Sequence, residues 1–196
     1  MGPEALIRAL ARPAPASSDY DLNPEVVLPP GRKLRAAAVL VAVCAGPGGP
    51  SVLLTKRASG LKHHPGQIAF PGGKIDAGDA SPEAAALREA HEEVGLEAGL
   101  VTLLGRLPVH ETVTGYTVTP VLGHIRGDFA TRAEAGEVEE VFRVPLAHLA
   151  DPAQFRVERR MWRGQWRRYY AVPYGPYYIW GATARILRGL ADRLAP

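Results

Sequence analysis

The chain has 196 residues, 46% of them hydrophobic and 22% charged, with a formal net charge of +3. That length and apolar content suffice to bury a full core in one domain with a small extension, and the chain reads as soluble and globular. A single cysteine, Cys44, excludes an internal disulfide, and the longest apolar run, Ala36 to Ala45, is about half of what a membrane-spanning helix needs. The first residues show neither the basic-then-apolar layout of a secretory signal nor a myristoylation pattern. A cytoplasmic location is therefore expected, with no membrane partner. The mild positive excess suits the attraction of a polyanionic metabolite.

In chain order, Pro3 to Ala11 is expected to form a short amphipathic helix, followed from Arg12 to Pro30 by an extended arm rich in Pro, Ser and Asp. Residues 1–33 are thus set apart from a main domain over 34–196. Leu34 to Ala45 and Ser51 to Lys56 read as strands joined by the turn Gly46-Pro47-Gly48-Gly49-Pro50. His63 to Phe70 reads as a loop and short strand leading into a turn at Gly72-Gly73. A helix follows, with Ser81 as its cap, Pro82 at its first position and Gly95 just past its end. Ala84, Leu87, Ala90 and Val94 would be its apolar side, with its glutamates facing the other way. Strands are expected at Val101 to His110 and Tyr116 to Ile125, a loop at Gly136 to Phe142, and one helical turn at Pro145 to Leu149. A hairpin turning at Arg163-Gly164-Gln165 would put alternate arginines in water and pack its aromatics inward, before a closing helix from Ile179 to Leu194. Strands and helices mixed in this way imply an α/β fold with a sheet layered between helices.

The chemistry concentrates on the helix after the glycine turn. Glu89, Glu92 and Glu93 stand there at spacing 0, +3 and +4. At ~100° per residue, Glu89 and Glu93 lie within ~40° of each other. Like charges that close destabilise a helix unless a cation neutralises them, and Mg²⁺ takes hard oxygen ligands of this type. Glu89 and Glu93 are the expected side-chain ligands, Glu92 a further ligand or an outer partner, and the Gly73 carbonyl an additional oxygen. Arg88, four residues before Glu92, is placed to orient it. The alternative, a solvated acidic face, does not require the preceding glycine turn. A general base is sought among Glu137, Glu139, Glu140 and Glu89 itself. The segment from Arg156 to Tyr170 interleaves arginines with Trp162, Trp166, Tyr169 and Tyr170, which also suits nucleic acid. The hairpin reading, with its arginines near an anionic substrate, is preferred, and no nucleic-acid partner is expected.

The run Arg88-Glu89-Ala90-His91-Glu92-Glu93-Val94-Gly95-Leu96 resembles the core of the Nudix box. The chain departs from that box in an interval from Gly73 to Arg88 that is one residue too long. It also has Asp79 and Ala80 where an upstream glutamate belongs, and a small Ala90 in an aliphatic slot. Upstream, Leu53 to Gly73 is similar to the extra signature of the coenzyme A pyrophosphatase branch of Nudix hydrolases. One fixed position differs, where Lys62 replaces arginine and keeps the charge without the two-pronged fork. The likeness runs from about Leu34 to Leu190. It implies an α/β/α sandwich with a mixed β-sheet, and hydrolysis of coenzyme A or its derivatives with Mg²⁺ or Mn²⁺. The products would be 3′,5′-adenosine diphosphate and 4′-phosphopantetheine. The resemblance also favours Glu137 as the base and gives Arg57, Lys62, His63 and His64 the duty of holding the 3′-phosphate. A homodimer is compatible with it. The rival readings are a Nudix pyrophosphatase for another nucleoside diphosphate derivative such as ADP-ribose, and a Nudix-like domain that binds nucleotide or RNA without cutting.

Overall fold

The structure is a computed structural model and describes residues 2–127, 129–162 and 164–195. Its elements begin with helix α1 (Pro3–Ala11) and strands β1 (Ser17–Ser18), β2 (Arg35–Cys44), β3 (Ser51–Arg57), β4 (Ile68–Ala69) and β5 (Gly72–Lys74). Helix α2 (Pro82–Val94) follows, then strands β6 (Val101–Arg106), β7 (His110–Glu111), β8 (Tyr116–Ile125) and β9 (Val138–Pro145). The single turn α3 (Leu146–Leu149), strands β10 (Arg156–Trp162) and β11 (Gln165–Ala171), and helix α4 (Gly181–Leu194) complete the chain.

β2 is the centre of the main sheet and runs parallel to β8 from Arg35↔Tyr116 to Cys44↔Ile125. Its side chains alternate strictly between two cores. Ala37, Val41 and Val43 pack with residues of α1, α3 and α4, while Ala38, Leu40, Ala42 and Cys44 pack with Ala85, Ala86, Ala90 and Val94 of α2. A strand covered on both faces must be apolar at every position, which is why its sequence reads as an unbroken run. The sheet is mixed, with β1–β7–β8–β2–β3 as its spine and helices on both faces. It is the α/β/α sandwich with a mixed β-sheet that the resemblance implies.

The expected β2–β3 hairpin pairs only at Val43↔Val52 and Cys44↔Ser51. Beyond that the two strands part, and the chain from Ile68 to Lys74 enters the gap. β4 lines up with β3 and β5 with β2. The segment from Gly136 to Phe142, read as a loop, instead leads into β9 at Val138, and β9 runs antiparallel to β3. Val138, Phe142 and Val144 are its buried positions, and the acids at its start hide that alternation. The expected strand from Val101 to His110 breaks between Arg106 and His110, where Pro108 has no N–H for the ladder. Helix α4 starts two residues later than expected, because Ile179 and Trp180 still pair with Val172 and Ala171.

β10 and β11 form the hairpin, with Met161↔Trp166 and Arg160↔Arg167 opposite each other; its expected tip residue Arg163 lies outside the described residues. The aromatics are not all packed inward. Trp166 is 54% exposed and pairs across the ribbon with exposed Met161, under the guanidinium of Arg159 at 4.8 Å. A two-stranded ribbon that meets the core only near Tyr170 and Ala171 cannot bury a whole face.

The arm is tied down rather than merely extended. β1 adds parallel to β7, and fully buried His110 bridges Ser17 Oγ (2.9 Å) and Asp19 (3.1 Å). The Asn23 side chain donates to the Arg168 carbonyl (2.9 Å) and accepts from the Arg168 N–H (2.8 Å), as a neighbouring strand would. Among the described residues no helix is long and apolar enough to cross a membrane.

Candidate active site

Helix α2 is fixed at both ends as its sequence dictates. Ser81 Oγ accepts from the Ala84 N–H at 3.2 Å, and Gly95 closes the helix in the left-handed region at φ 71°. Its inner face differs from the expected one. Ala85 and Ala86 are buried beside Ala90 and Val94, with Leu87 partly buried against the same core and Ala84 outside it, because small side chains are needed where the helix crosses Ala38 and Ala42 of β2. The glutamates do not all face away, either: Glu93 is only 5% exposed and accepts from the Gly72 N–H at 3.1 Å.

The glycine pair makes that approach possible. At Gly72, with φ +153°, a Cβ would sit 2.4 Å from the Ala38 carbonyl oxygen, and at Gly73 it would meet the Glu89 carboxylate at 2.5 to 2.7 Å. Glycine therefore lets β5 lie against β2 on one side and against Glu89 on the other. Burial raises the pKa of Glu93 to about 7, with the charges of Glu89 and Glu137 adding and the Gly72 N–H and Arg57 opposing. Glu89 is also raised, first by burial, with Glu92 and Glu137 adding to it. These carboxylates form one mutually repelling group.

Arg88 organises the rim of that group. Its guanidinium donates to Glu89 (3.0 Å), to Glu92 (3.1 Å) and, with two nitrogens, to Asp79 (3.0 and 2.9 Å). The pairing with Glu92 is the expected one. Asp79 was not assigned a role from the sequence, yet it also accepts from the Asp76 N–H (2.8 Å), and Arg88 holds its pKa low. The signal available was its place in the turn before the cap, where an acid stands for the missing glutamate.

Among the later acids, two are engaged elsewhere. Glu139 pairs with Lys56 at 2.6 Å, and Glu140 accepts from the Tyr177 hydroxyl at 2.5 Å. Glu137 remains, exposed at the entry to β9, and its charge bears on both Glu89 and Glu93. Arg57, at the end of β3, brings its charge to Glu93, and its Nε is buried without a hydrogen-bond partner. Lys62, His63 and His64 are all exposed, and His64, with φ +54°, also lines the rim of an adjoining cavity. That cavity, about 390 Å³, lies between Phe70 and Gly72, the hairpin residues Arg160 and Arg167, and the start of α4.

A divalent cation fits the donor set. Glu89 and Glu93 supply hard oxygens whose repulsion a cation would relieve, and Gly73 leaves the space over Glu89 that any side chain would fill. Among the described residues no three His, Cys, Asp or Glu side chains are already gathered for an ion. Arg88 holds Glu89 and Glu92 to its side, and Glu92 is largely exposed.

Residues 33–163 match the model of the NUDIX domain. The chain is 45% identical over 157 residues to an uncharacterized Nudix hydrolase, NudL, of Enterobacter sp. (strain 638), covering 80% of this chain and 81% of that protein. The same identity and coverage hold for NudL of Escherichia coli (strain K12). A Nudix hydrolase of M. smegmatis, RenU, superposes with a TM-score of 0.51 at 30% identity, over 60% of this chain and 74% of that one. A MutT/nudix family protein from Enterococcus faecalis shares the fold at a TM-score of 0.52 and 19% identity, over 87% and 65% of the two chains. With the glycine turn, the capped helix and its glutamates all in place, the chain belongs to the Nudix hydrolase family, whose activity is pyrophosphate hydrolysis on nucleotide-derived substrates.

Proposed function

We propose that the protein hydrolyses the pyrophosphate of coenzyme A or one of its derivatives, giving 3′,5′-adenosine diphosphate and 4′-phosphopantetheine, with Mg²⁺ or Mn²⁺ as cofactor. The observation that carries the hydrolytic part is the placing of buried Glu93 and partly buried Glu89 against Gly72 and Gly73, at the edge of a cavity of about 390 Å³. The choice of coenzyme A rests on the Leu53 to Gly73 signature, whose Arg57 acts on Glu93 and whose His64 lines the cavity.

Glu89, Glu93 and the Gly73 carbonyl would hold the cation, with Glu92 at its margin. Bound there, a divalent ion lowers the pKa of water and neutralises phosphate oxygens that otherwise repel a nucleophile. Glu137 takes the proton of the attacking water as general base. The water oxygen bonds to one phosphorus, the P–O–P bond opens, and the leaving phosphate keeps the electron pair. Arg57 offers its charge to that phosphate, and Arg88 keeps Glu89 and Glu92 in orientation.

Mass analysis after incubation with coenzyme A and Mg²⁺ or Mn²⁺ tests the reading. Both named products are expected, and faster turnover of ADP-ribose than of coenzyme A would decide against it. Arg57→Ala is expected to raise KM about tenfold, the ~1.4 kcal/mol of a lost charge-assisted contact. Because Arg57 serves the pyrophosphate, coenzyme A and its 3′-dephospho form should suffer alike.

A further inference from the structure

The cavity beside Gly72 carries a second cationic centre, built by the β10–β11 hairpin rather than by the acidic helix. The guanidinium of Arg160 lies 5.0 Å over Trp180, and that of Arg167 lies 4.4 Å over Trp162 and 5.3 Å from Tyr20. Held over aromatic rings, both guanidinium groups are placed before any ligand arrives. Neither guanidinium pairs with a carboxylate among the described residues, and Arg167 Nε is buried with no acceptor. The acid in the same wall, Asp19, is committed to His110 (3.1 Å) and to the Val113 N–H (2.8 Å). A buried donor without a partner is costly, so its acceptor is expected to arrive with a ligand. The start of α4 adds to the wall through Gly181 and Ala182, and no side chain caps that helix.

We propose that Arg160 and Arg167 read a second phosphate of the substrate, a phosphomonoester on the ribose, separate from the scissile pyrophosphate. This inference rests on the nucleotide-pyrophosphatase reading and narrows it to nucleotides that carry a 3′-phosphate. Of the residues to which the resemblance gives the duty of holding that phosphate, Arg57 faces the acidic centre and Lys62 and His63 are exposed, while His64 shares the cavity wall with Arg160 and Arg167, so the duty passes chiefly to the hairpin. Two guanidinium forks match a phosphate dianion better than lysine does.

Calorimetric titration with 3′,5′-adenosine diphosphate and 5′-AMP, which differ only in the 3′-phosphate, tests the site on the full chain. The intact protein should prefer the bisphosphate by at least about tenfold, ~1.4 kcal/mol. Arg167→Met and the exposed-site variant Arg160→Met should each cut that preference to below about threefold, with 5′-AMP affinity held within about twofold. Arg57→Ala should keep the preference. An intact protein without the preference would overturn the proposal, as would variants that keep it in full or lose both nucleotides in equal proportion. Coenzyme A turnover, followed in parallel, separates the two ideas. No turnover with an Arg167-dependent preference sinks the substrate reading and leaves the phosphate site standing, whereas turnover without the preference sinks the site alone.

Discussion

Glu93→Gln should lower kcat about a thousandfold, ~4 kcal/mol of transition-state stabilisation, while making the metal-free protein more stable at pH 8. The activity loss follows from removing a hard, charged oxygen beneath the Gly72–Gly73 turn. The gain in stability follows from the sign of the pKa shift. Burial raises the Glu93 carboxyl from its usual value of 4.5 to about 7, so the folded state holds a proton that the unfolded chain has already released. The contribution of Glu93 to stability is therefore full below pH 4.5 and is lost as pH rises through pH 7. The loss is on the order of 3 kcal/mol at 1.36 kcal/mol per unit, or ~6–12 °C in Tm for a chain of this length. Melting in a chelating buffer at pH 5 and pH 8 reads the effect, and the glutamine variant should escape it. Adding Mn²⁺ should raise the Tm of the parent protein and not of the variant. Near-normal turnover by the variant, or an identical response to Mn²⁺, would show that Glu93 does not serve the metal.

Alanine at the two adjacent glycines should give opposite outcomes. At Gly72 the new Cβ meets backbone on β2, the Ala38 carbonyl oxygen at 2.4 Å and the Val39 Cα at 2.6 Å, and neither can move without opening the sheet. The φ of +153° adds backbone strain. Gly72→Ala should therefore cost about 3–5 kcal/mol, enough to threaten folding of a marginally stable domain. At Gly73 the new Cβ meets first the Glu89 carboxylate, the far end of a flexible side chain. Gly73→Ala should fold with about 1 kcal/mol lost and still fall about a hundredfold in kcat, because Glu89 is pushed from its place. Denaturant melts and initial rates on the same preparations check both. Equal destabilisation by the two substitutions would mean that the turn does not divide its roles this way.

The helix was legible because its signals are local. Ser81, Pro82 and Gly95 mark its ends, and the i, i+4 relation alone brings Glu89 and Glu93 together. Its rotation was not, because a periodicity count scores Glu93 as polar and cannot foresee that β5 will supply an N–H to bury it. Asp79 hides for a related reason. One acid in a Gly-Asp-Ala turn has no pattern, and its value appears only when Arg88 folds back nine residues to meet it. β9 was lost to the acids at its start, although Val138, Phe142 and Val144 keep the strand period. The hairpin was found from its turn and alternation, but no sequence rule says that its base alone meets the core or that Arg160 and Arg167 face a cavity shared with the glycine turn. Pairings across long stretches of chain carry all of this missing information.

The match to the family model starts at residue 33, which invites trimming the chain there. Such a cut would remove Asn23, and with it the amide that occupies both ladder groups of Arg168. It would also take Tyr20 from beneath Arg167 and Asp19 from the wall of the cavity. The shortened protein would present a raw ribbon edge, able to recruit a stray strand from another molecule. Poor solubility and weak nucleotide affinity in a trimmed preparation would then reflect where the scissors fell, and not a defect of the enzyme.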